Sequence, residues 1–330
     1  MAEMNVLEVR DLRKLYPIIR GLTRKKIGDI RAVDGVSFSI PSGGTLGLVG
    51  ESGCGKSTVA KCIMRAHNFD GGSVNIQVDG RMVDISQMPE KELRPLRRHF
   101  QMVFQDPYRS INPRILVKDV VCEPLKAFGY SSTQQKELLD DILLQVGLQP
   151  EMADRYPHAF SGGQRQRIAI ARAIALKPKL LVLDEAVSAL DVSVQAQILN
   201  LLKDLQKESG MAYLFISHDL SVVRYMSDWV GVMYLGHLVE YTDAETIYTS
   251  PLHPYTNLLM SAIPDADPDS DWSPDVAKGE IDTMDASKEQ QGCIFCKRCE
   301  FAQDICHKQI PPFVNRSQTD EPHYVACHFR

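Results

Sequence analysis

Apolar–polar alternation marks two stretches near the start of the chain, VLEVR at 6–10 and VDGVSFSI at 33–40. A period of two suits strands with one buried face, so the pair is expected as antiparallel strands separated by a long, basic, glycine-containing loop. TLGLVG at 45–50 has a different pattern. It is almost continuously apolar, as a strand covered on both faces would be, and it runs into a glycine-rich turn and a helix from about Lys56. FQMVF (100–104), LLVLD (180–184) and AYLFIS (212–217) repeat that buried-strand pattern, while 89–98 reads as a short charged helix. From roughly Leu116 to Leu176 the period is helical throughout, a candidate helical subdomain (about 106–178) inserted into an α/β core. VQAQILNLLKDLQ adds a helix between the last two strands, an order that fits parallel strands joined by helical crossovers.

After about Pro264 the pattern stops. DADPDSDWSPDVAKGEIDTMDASKEQ carries nine acidic and two basic residues with little periodicity, so 265–291 is expected as an acidic linker or surface segment. A tail at 292–330 follows, holding five of the eight cysteines of this 330-residue chain. Hydrophobic content of 44% and charged content of 24% are ordinary for a globular protein. No apolar run approaches the roughly 18 residues that would span a bilayer, and MAEMNVLEVRDLRKLY lacks the basic-then-apolar pattern of a signal peptide. The expectation is a cytosolic protein, where clustered thiols hold metal more often than they pair. A net charge of −5 argues against a dedicated nucleic-acid binder. The local basic patch RGLTRKK, Arg20 to Lys26, suits a solvated loop or, alternatively, lipid head groups.

GESGCGKST (50–58) has the spacing G-x-x-x-x-G-K-[ST] and stands between a strand and a helix, where it turns backbone N–H groups onto anionic oxygens. Gly50, Ser52, Gly53, Cys54 and Gly55 would form the cradle. Lys56 would reach the β- and γ-phosphates of a nucleotide, Ser57 would offer its hydroxyl to Mg²⁺, and Thr58 would add a phosphate contact. LLVLDE (180–185) supplies the companion strand. Asp184 is placed to hold magnesium through its water shell and Glu185 to orient and polarise an attacking water. FSGGQRQR (160–167) then begins a helix with a Ser-Gly-Gly turn, about 20 residues before Asp184. This is a second phosphate-binding helix start, and one protein needs two of them if its nucleotide sits between two copies of the domain.

These motifs resemble the ATP-binding-cassette family, whose signature is LSGGQ, with Phe160 in place of the usual Leu. The resemblance implies an α/β P-loop NTPase fold over 1–264: a RecA-like core, an antiparallel β subdomain and an inserted α-helical subdomain, with a small cysteine-rich C-terminal extension behind it. It also implies a Q-loop glutamine at Gln105 that reaches the magnesium, a D-loop aspartate at Asp191 and a switch histidine at His218. Tyr16 would stack on adenine. Ser161, Gly162, Gly163 and Gln164 would cap ATP held by a partner cassette. On this reading Glu185, His218, Gln105 and Lys56 carry the catalysis.

GLVGESGCGKST, VFQDPYRSINPR, DEAVSALDVSVQAQILNLL and SPLHPYTNLLMSAIP are more specific: they closely resemble the ATPase subunits of bacterial oligopeptide, dipeptide and nickel importers. Such a subunit would sit peripherally on the cytoplasmic face of the plasma membrane. Its implied partners are two permease subunits, a solute-binding protein and a paralogous second ATPase; nickel and glycoside importers share the same motifs. The competing class is a soluble, non-transport cassette ATPase acting on a macromolecule. HPYT (253–256) marks the subgroup and reads locally as a turn before a short helix. The tail matches the subgroup pattern G-C-x-F-x-x-R-C through Gly292, Cys293, Phe295, Arg298 and Cys299. The resemblance implies that Cys293, Cys299, Cys306 and Cys327 hold an iron–sulfur cluster of the [4Fe–4S] type. Four thiolates equally suit tetrahedral zinc, and Cys296 creates a C-x-x-C-x-x-C run that would admit it to the ligand set. A free-thiol or disulfide state is the third alternative. Cys54 is a candidate for oxidative inhibition, and Cys62 and Cys122 read as packing residues.

Overall fold

The computed structural model describes residues 4–20, 25–106, 110–262, 291–317 and 321–330. Its strands, in chain order, are β1 (Asn5–Arg20), β2 (Lys25–Pro41), β3 (Thr45–Val49), β4 (Gly71–Val78), β5 (Arg81–Asp84), β6 (Phe100–Val103), β7 (Leu180–Asp184), β8 (Ala212–Ile216), β9 (Trp229–Tyr234), β10 (His237–Asp243), β11 (Val314–Asn315) and β12 (Tyr324–Val325). The helices are α1 (Lys56–Ile63), α2 (Glu90–Leu96), α3 (Val117–Ala127), α4 (Ser132–Gln145), α5 (Gly162–Ile174), α6 (Val192–Ser209), α7 (Leu220–Met226), α8 (Ala244–Thr249), α9 (Pro254–Ser261) and α10 (Asp304–Lys308). By contacts the chain divides into two compact units. One comprises Met1–Glu8, Ser39–Thr45 and Asn75–Ser217; the other comprises Val9–Phe38, Leu46–Val74 and His218–Arg330.

In the first unit β6, β7 and β8 lie side by side and parallel, with Phe100 opposite Leu180 and Leu180 opposite Ala212. Every residue of β7 and β8 is buried, which explains why their sequences are apolar without alternation. Helices α3, α4 and α5 pack on one another. Both α4 and α5 start with a capping box, Ser131 with Gln134 and Ser161 with Gln164, which satisfies N–H groups that a helix start leaves open. The β4–β5 hairpin, which the sequence reading did not include, turns on Asp79 and Gly80, both at positive φ. An Asp-Gly pair at positive φ matches the twist of a two-residue hairpin.

In the second unit β3 runs parallel to β9, with Leu46 opposite Trp229 and Val49 opposite Val232. β10 returns antiparallel through a Leu235–Gly236 turn, again at positive φ. Here β1 and β2 correct the sequence reading. They extend as strand to Arg20 and from Lys25, so most of the expected basic loop is strand, and only 21–24 fall outside the described residues. Ile18, Ile19 and Ile27, β-branched residues that favour extended backbone, explain the added length. Of the acidic linker, 265–290 lies outside the described residues.

The tail joins this sheet: β12 pairs with β10, Val325 opposite Glu240 and Tyr324 opposite Tyr241. Glu240 has no exposed surface. Its carboxylate accepts from the Leu252 N–H at 2.7 Å and the His253 N–H at 2.9 Å, and lies 2.6 Å from His323 Nε2. A buried carboxylate is tolerated when such partners replace its water. Replacing His323 by Ala removes one of them, so we expect a loss of about 1–3 kcal/mol in chemical denaturation. Proteolysis should then release the tail first. Unchanged denaturation and unchanged protection of the tail would refute this role.

Candidate nucleotide site

The second unit builds the P-loop. β3 is followed by Gly50, which is buried with φ 145°, and a Cβ there would stand 2.2 Å from the Met233 carbonyl oxygen. Gly55, with φ 111°, is the N-cap of α1, and a Cβ there would lie 2.2 Å from the Ala32 carbonyl oxygen. Backbone approaches of this closeness explain why these two positions are glycine. The Cys54 carbonyl accepts from the Gly236 N–H at 2.9 Å, pinning the loop to the β9–β10 turn. No side chain caps α1, so the start of that helix faces the loop with its backbone donors. Lys56 is 5% exposed, and its Nζ donates to the carbonyls of Gly50 at 2.7 Å and Glu51 at 3.1 Å. Ser52 and Gly53 are exposed on the loop, whereas Ser57 and Thr58 are half-buried in the first turn of α1.

Cys54 lies 3.6 Å from Lys56 Nζ and is 4% exposed. Burial raises its thiol pKa although the lysine acts to lower it. A buried, protonated thiol is a poor nucleophile, which argues against Cys54 as the site of oxidative inhibition. Cys62 and Cys122 are buried as expected. Tyr16 is half-buried, its hydroxyl 2.7 Å from His67 Nδ1, with Lys14 Nζ 5.1 Å from its ring centroid.

The first unit carries most of the other residues singled out in the sequence. Asp184 is 6% exposed at the end of β7. Glu185 follows at φ 48°, a left-handed conformation that non-glycine residues adopt mainly where the surroundings impose it. Its N–H donates to the Ile216 carbonyl at 2.9 Å, and its Oε2 accepts from Gln105 Nε2 at 2.6 Å. Two residues 80 positions apart, singled out separately from the sequence, therefore share a hydrogen bond. The signature turn lies at the start of α5. Ser161 Oγ accepts from the Gln164 N–H, and the Ser161 N–H donates back to Gln164 Oε1 at 3.0 Å. Phe160 is 4% exposed, so the departure from LSGGQ keeps an apolar side chain in the core. Gly162 is half-buried, and a Cβ at Gly163 would lie 2.3 Å from Val194 Cγ1. Asp191 caps α6, its Oδ1 accepting from the Val194 N–H at 3.0 Å and from Ser193 Oγ at 2.8 Å. These hydrogen bonds hold the Asp191 carboxyl below its ordinary pKa. His218 is exposed in the second unit, just before Asp219 caps α7.

Sequence reasoning assigned no role to Glu51, Tyr255 or Arg298. Tyr255 is fully buried, and its hydroxyl accepts from the Glu51 N–H at 2.9 Å. HPYT is therefore more than a turn before a helix. The only sequence signal for Arg298 was its place in the tail pattern. In the tail, Cys293 interacts electrostatically with Cys296, Cys299 and Cys306, and Cys299 with Cys327 as well. All eight cysteines are unpaired. Burial pushes the Cys293 thiol up to about 12 and raises those of Cys296 and Cys299. Among the described residues no three His, Cys, Asp or Glu side chains converge on one point where a metal ion would sit.

A loop of this build, opening a helix in an α/β fold, is that of a P-loop NTPase, and comparison with known proteins narrows the class to the ATP-binding-cassette ATPases. Residues 33–188 match the ABC transporter family, and 239–306 match the oligopeptide/dipeptide transporter C-terminal region. The structure of cbiO1 from Clostridium perfringens, part of the ABC transporter complex cbiONQ, superposes with a TM-score of 0.62 at 25% identity, over 75% of this chain and 92% of that one. The oligopeptide transport ATP-binding protein AppF of Bacillus subtilis is 47% identical over 98% of this chain and 97% of its own. The probable peptide ABC transporter ATP-binding protein y4tS of Sinorhizobium fredii is 48% identical over 98% and 90%. The chain belongs to the ATP-binding subunits of the oligopeptide/dipeptide transporter family.

The glycine geometry yields a direct test. Gly55→Ala must open the loop away from the Ala32 carbonyl and hold a side chain at positive φ, at a cost of about 1–3 kcal/mol. We expect a lower melting temperature and ATP binding weaker by about 5- to 150-fold, the range to which 1–3 kcal/mol corresponds. Wild-type melting and affinity in this variant would contradict the packing described.

Proposed function

We propose that this chain, the ATPase subunit of a peptide ABC importer, works as one half of a two-cassette motor at the cytoplasmic face of the bacterial plasma membrane. Its partners on this reading are a paralogous ATPase, two permease subunits and a separate solute-binding protein. The hydrogen bond from Gln105 to Glu185 is the observation that carries it, because it links the residue that reports on the nucleotide to the carboxylate that handles water. In the α/β architecture we read β6, β7 and β8 as part of a RecA-like core, α3 to α5 as the helical subdomain, and β1, β2, β4 and β5 as the antiparallel subdomain. Among the described residues no helix is long and apolar enough to cross a membrane, which fits a subunit that borrows its membrane path from permeases.

In this mechanism Lys56 turns from the loop carbonyls to the β- and γ-phosphates, and Gly50, Ser52, Gly53, Cys54, Gly55 and Thr58 line the anion cradle. Tyr16 offers a ring for adenine. Ser57, Gln105 and Asp184 would hold Mg²⁺, which offsets phosphate charge when bound; a carboxylate as buried as Asp184 suits a neighbouring cation. Glu185 orients and polarises the attacking water, and His218 contacts the γ-phosphate side of the site. Ser161, Gly162, Gly163 and Gln164 cap ATP bound by the partner cassette, with Asp191 at the dimer seam. Peptide cargo is favoured over nickel or glycoside by the relatives' names and by the match over 239–306. That match likewise favours transport over a soluble ATPase acting on a macromolecule.

For the tail we propose a [4Fe–4S] cluster on Cys293, Cys299, Cys306 and Cys327, with Cys296 beside it. A single zinc needs four sulfurs at about 2.3 Å, hence within about 4 Å of one another. The described residues offer no such point of convergence for a single ion, and the cluster reading rests on the thiol donor set and on the G-C-x-F-x-x-R-C pattern of the tail. The cluster would supply a structural staple, and ATP hydrolysis requires no electron transfer from it.

Two measurements test these readings. Glu185→Gln in the assembled transporter should bind ATP yet lose steady-state hydrolysis by about 100-fold or more, within the range for positioned general bases; retained turnover would refute the assignment. Anaerobically purified protein should carry about four irons and four sulfides per chain, and stoichiometric zinc or no metal would refute the cluster.

A further inference from the structure

Arg298 stands between Cys296 and Cys299, and Glu51 is the second residue of the P-loop. They are 247 positions apart, yet the guanidinium grips the carboxylate with two parallel bonds, Nη1 to Oε2 at 2.8 Å and Nη2 to Oε1 at 2.9 Å. Such a two-pronged pair fixes orientation as well as distance. The Arg298 side chain is only 8% exposed and the Glu51 side chain 26%. The guanidinium carbon lies 5.7 Å from the Tyr234 ring centroid and 5.8 Å from that of Phe295, so the cation is held by aromatic rings as well as by charge. Nη1 also reaches the Tyr234 hydroxyl at 3.4 Å. On the loop side, Tyr255 holds the Glu51 N–H, and the carbonyls of Gly50 and Glu51 receive the Lys56 ammonium. Glu51 is therefore fixed at both its side chain and its backbone, and the P-loop lysine rests on the carbonyls this fixing positions.

We infer that Arg298 is a positioning residue of the ATP site: by gripping Glu51 it sets the P-loop conformation, so that docking of the cysteine-rich tail tunes nucleotide affinity. This rests on the ATP-site reading above and extends it to a residue outside the cassette motifs. An unlatched Glu51 leaves Gly50 and its neighbours free to sample conformations that do not bind phosphate, and the apparent affinity falls with the competent fraction. Chemistry at the bound nucleotide, once formed, should change less. A residue that merely stabilised the tail would lower the melting temperature without separating affinity from turnover.

The test uses the full-length chain in its transporter, with Arg298→Gln, Arg298→Lys, Glu51→Gln and the double variant Arg298→Gln/Glu51→Gln. ATP affinity, KM and kcat are read together with the accessibility of the tail thiols to alkylation. Arg298→Gln should weaken ATP binding about tenfold, a typical coupling between sites, with kcat at saturating ATP within about twofold. Arg298→Lys, which keeps the charge but loses the fork, should fall between. The double variant should be no weaker than the single ones, because both remove the same contact. Unchanged affinity in Arg298→Gln with equally protected thiols would overturn the proposal, as would additive losses in the double variant. Should Arg298→Gln expose the thiols, Glu51→Gln and Arg298→Lys decide the matter by the same affinity criterion. Wild-type protein that fails to bind ATP would strike the nucleotide-site reading, not the latch.

Discussion

The Glu240 carboxylate is the constraint on which the second unit turns. A carboxylate with no exposed surface must find every partner inside the protein, and those partners come from two segments remote from each other in sequence. The Leu252 and His253 N–H groups come from the approach to α9, and the His323 ring comes from the tail. Each tie leads to the P-loop. His253 caps α9 by accepting the Tyr255 N–H, which seats Tyr255 where its hydroxyl holds Glu51. His323 lies next to β12, whose pairing with β10 docks the tail that delivers Arg298 to the same Glu51. Two routes from one buried charge thus converge on one residue of the phosphate loop. Burial also lowers the His253 pKa to about 4, so its ring stays neutral and its Nδ1 remains an acceptor for the cap at neutral pH.

The first unit has its own logic, in which backbone geometry aims side chains. Glu185 leaves a fully buried strand in a left-handed conformation, which turns its carboxylate to Gln105 rather than back along the sheet. The signature turn is secured from within by the Ser161–Gln164 box and from the side by Val194, which leaves no room for a Cβ at Gly163. Asp191 caps the helix that carries Val194. The signature and the D-loop are therefore one mechanical piece: moving the Asp191 cap moves the residue against which Gly163 rests. On the proposed two-cassette reading, such stiffness would pass nucleotide state between cassettes, because soft elements would absorb the displacement.

Much of this was legible in the sequence because its causes are local. The P-loop glycines, the buried strands and the helical period of 117–174 are written in spacings of two to seven residues. The full length of β1 and β2 is not legible because their outer halves, DLRKLYPIIR and KKIGDIRA, carry no period of two and are interrupted by Pro17 and Gly28. β9, β10 and the two-residue strands β11 and β12 passed unremarked, the last two because nothing so short has a period. Glu240, Glu51 and Arg298 look like ordinary surface charges, since what makes them important lies 83 and 247 positions away. Local patterns do not encode the partner of a buried charge.

The economy of the tail follows from the same contacts. Among its described residues the strands are two residues long, and the buried apolar side chains are few, Phe295, Pro311 and Val325 with Cys306 beside them. A segment of that size does not fold on apolar burial alone. It borrows its core from the unit it joins: Phe295 sets its ring 5.3 Å from Tyr234 and 5.5 Å from Tyr255, while His323 meets Glu240 and Arg298 meets Glu51. The borrowing is reciprocal. Arg298 finds its carboxylate in the P-loop, and the P-loop finds at Arg298 a cation that is neither phosphate-binding nor part of the cassette motifs. An extension added to an ATPase core for any reason would ordinarily dock on an indifferent surface. Here it docks on the residue next to the first glycine of the phosphate loop, so the tail cannot shift without the loop losing a partner.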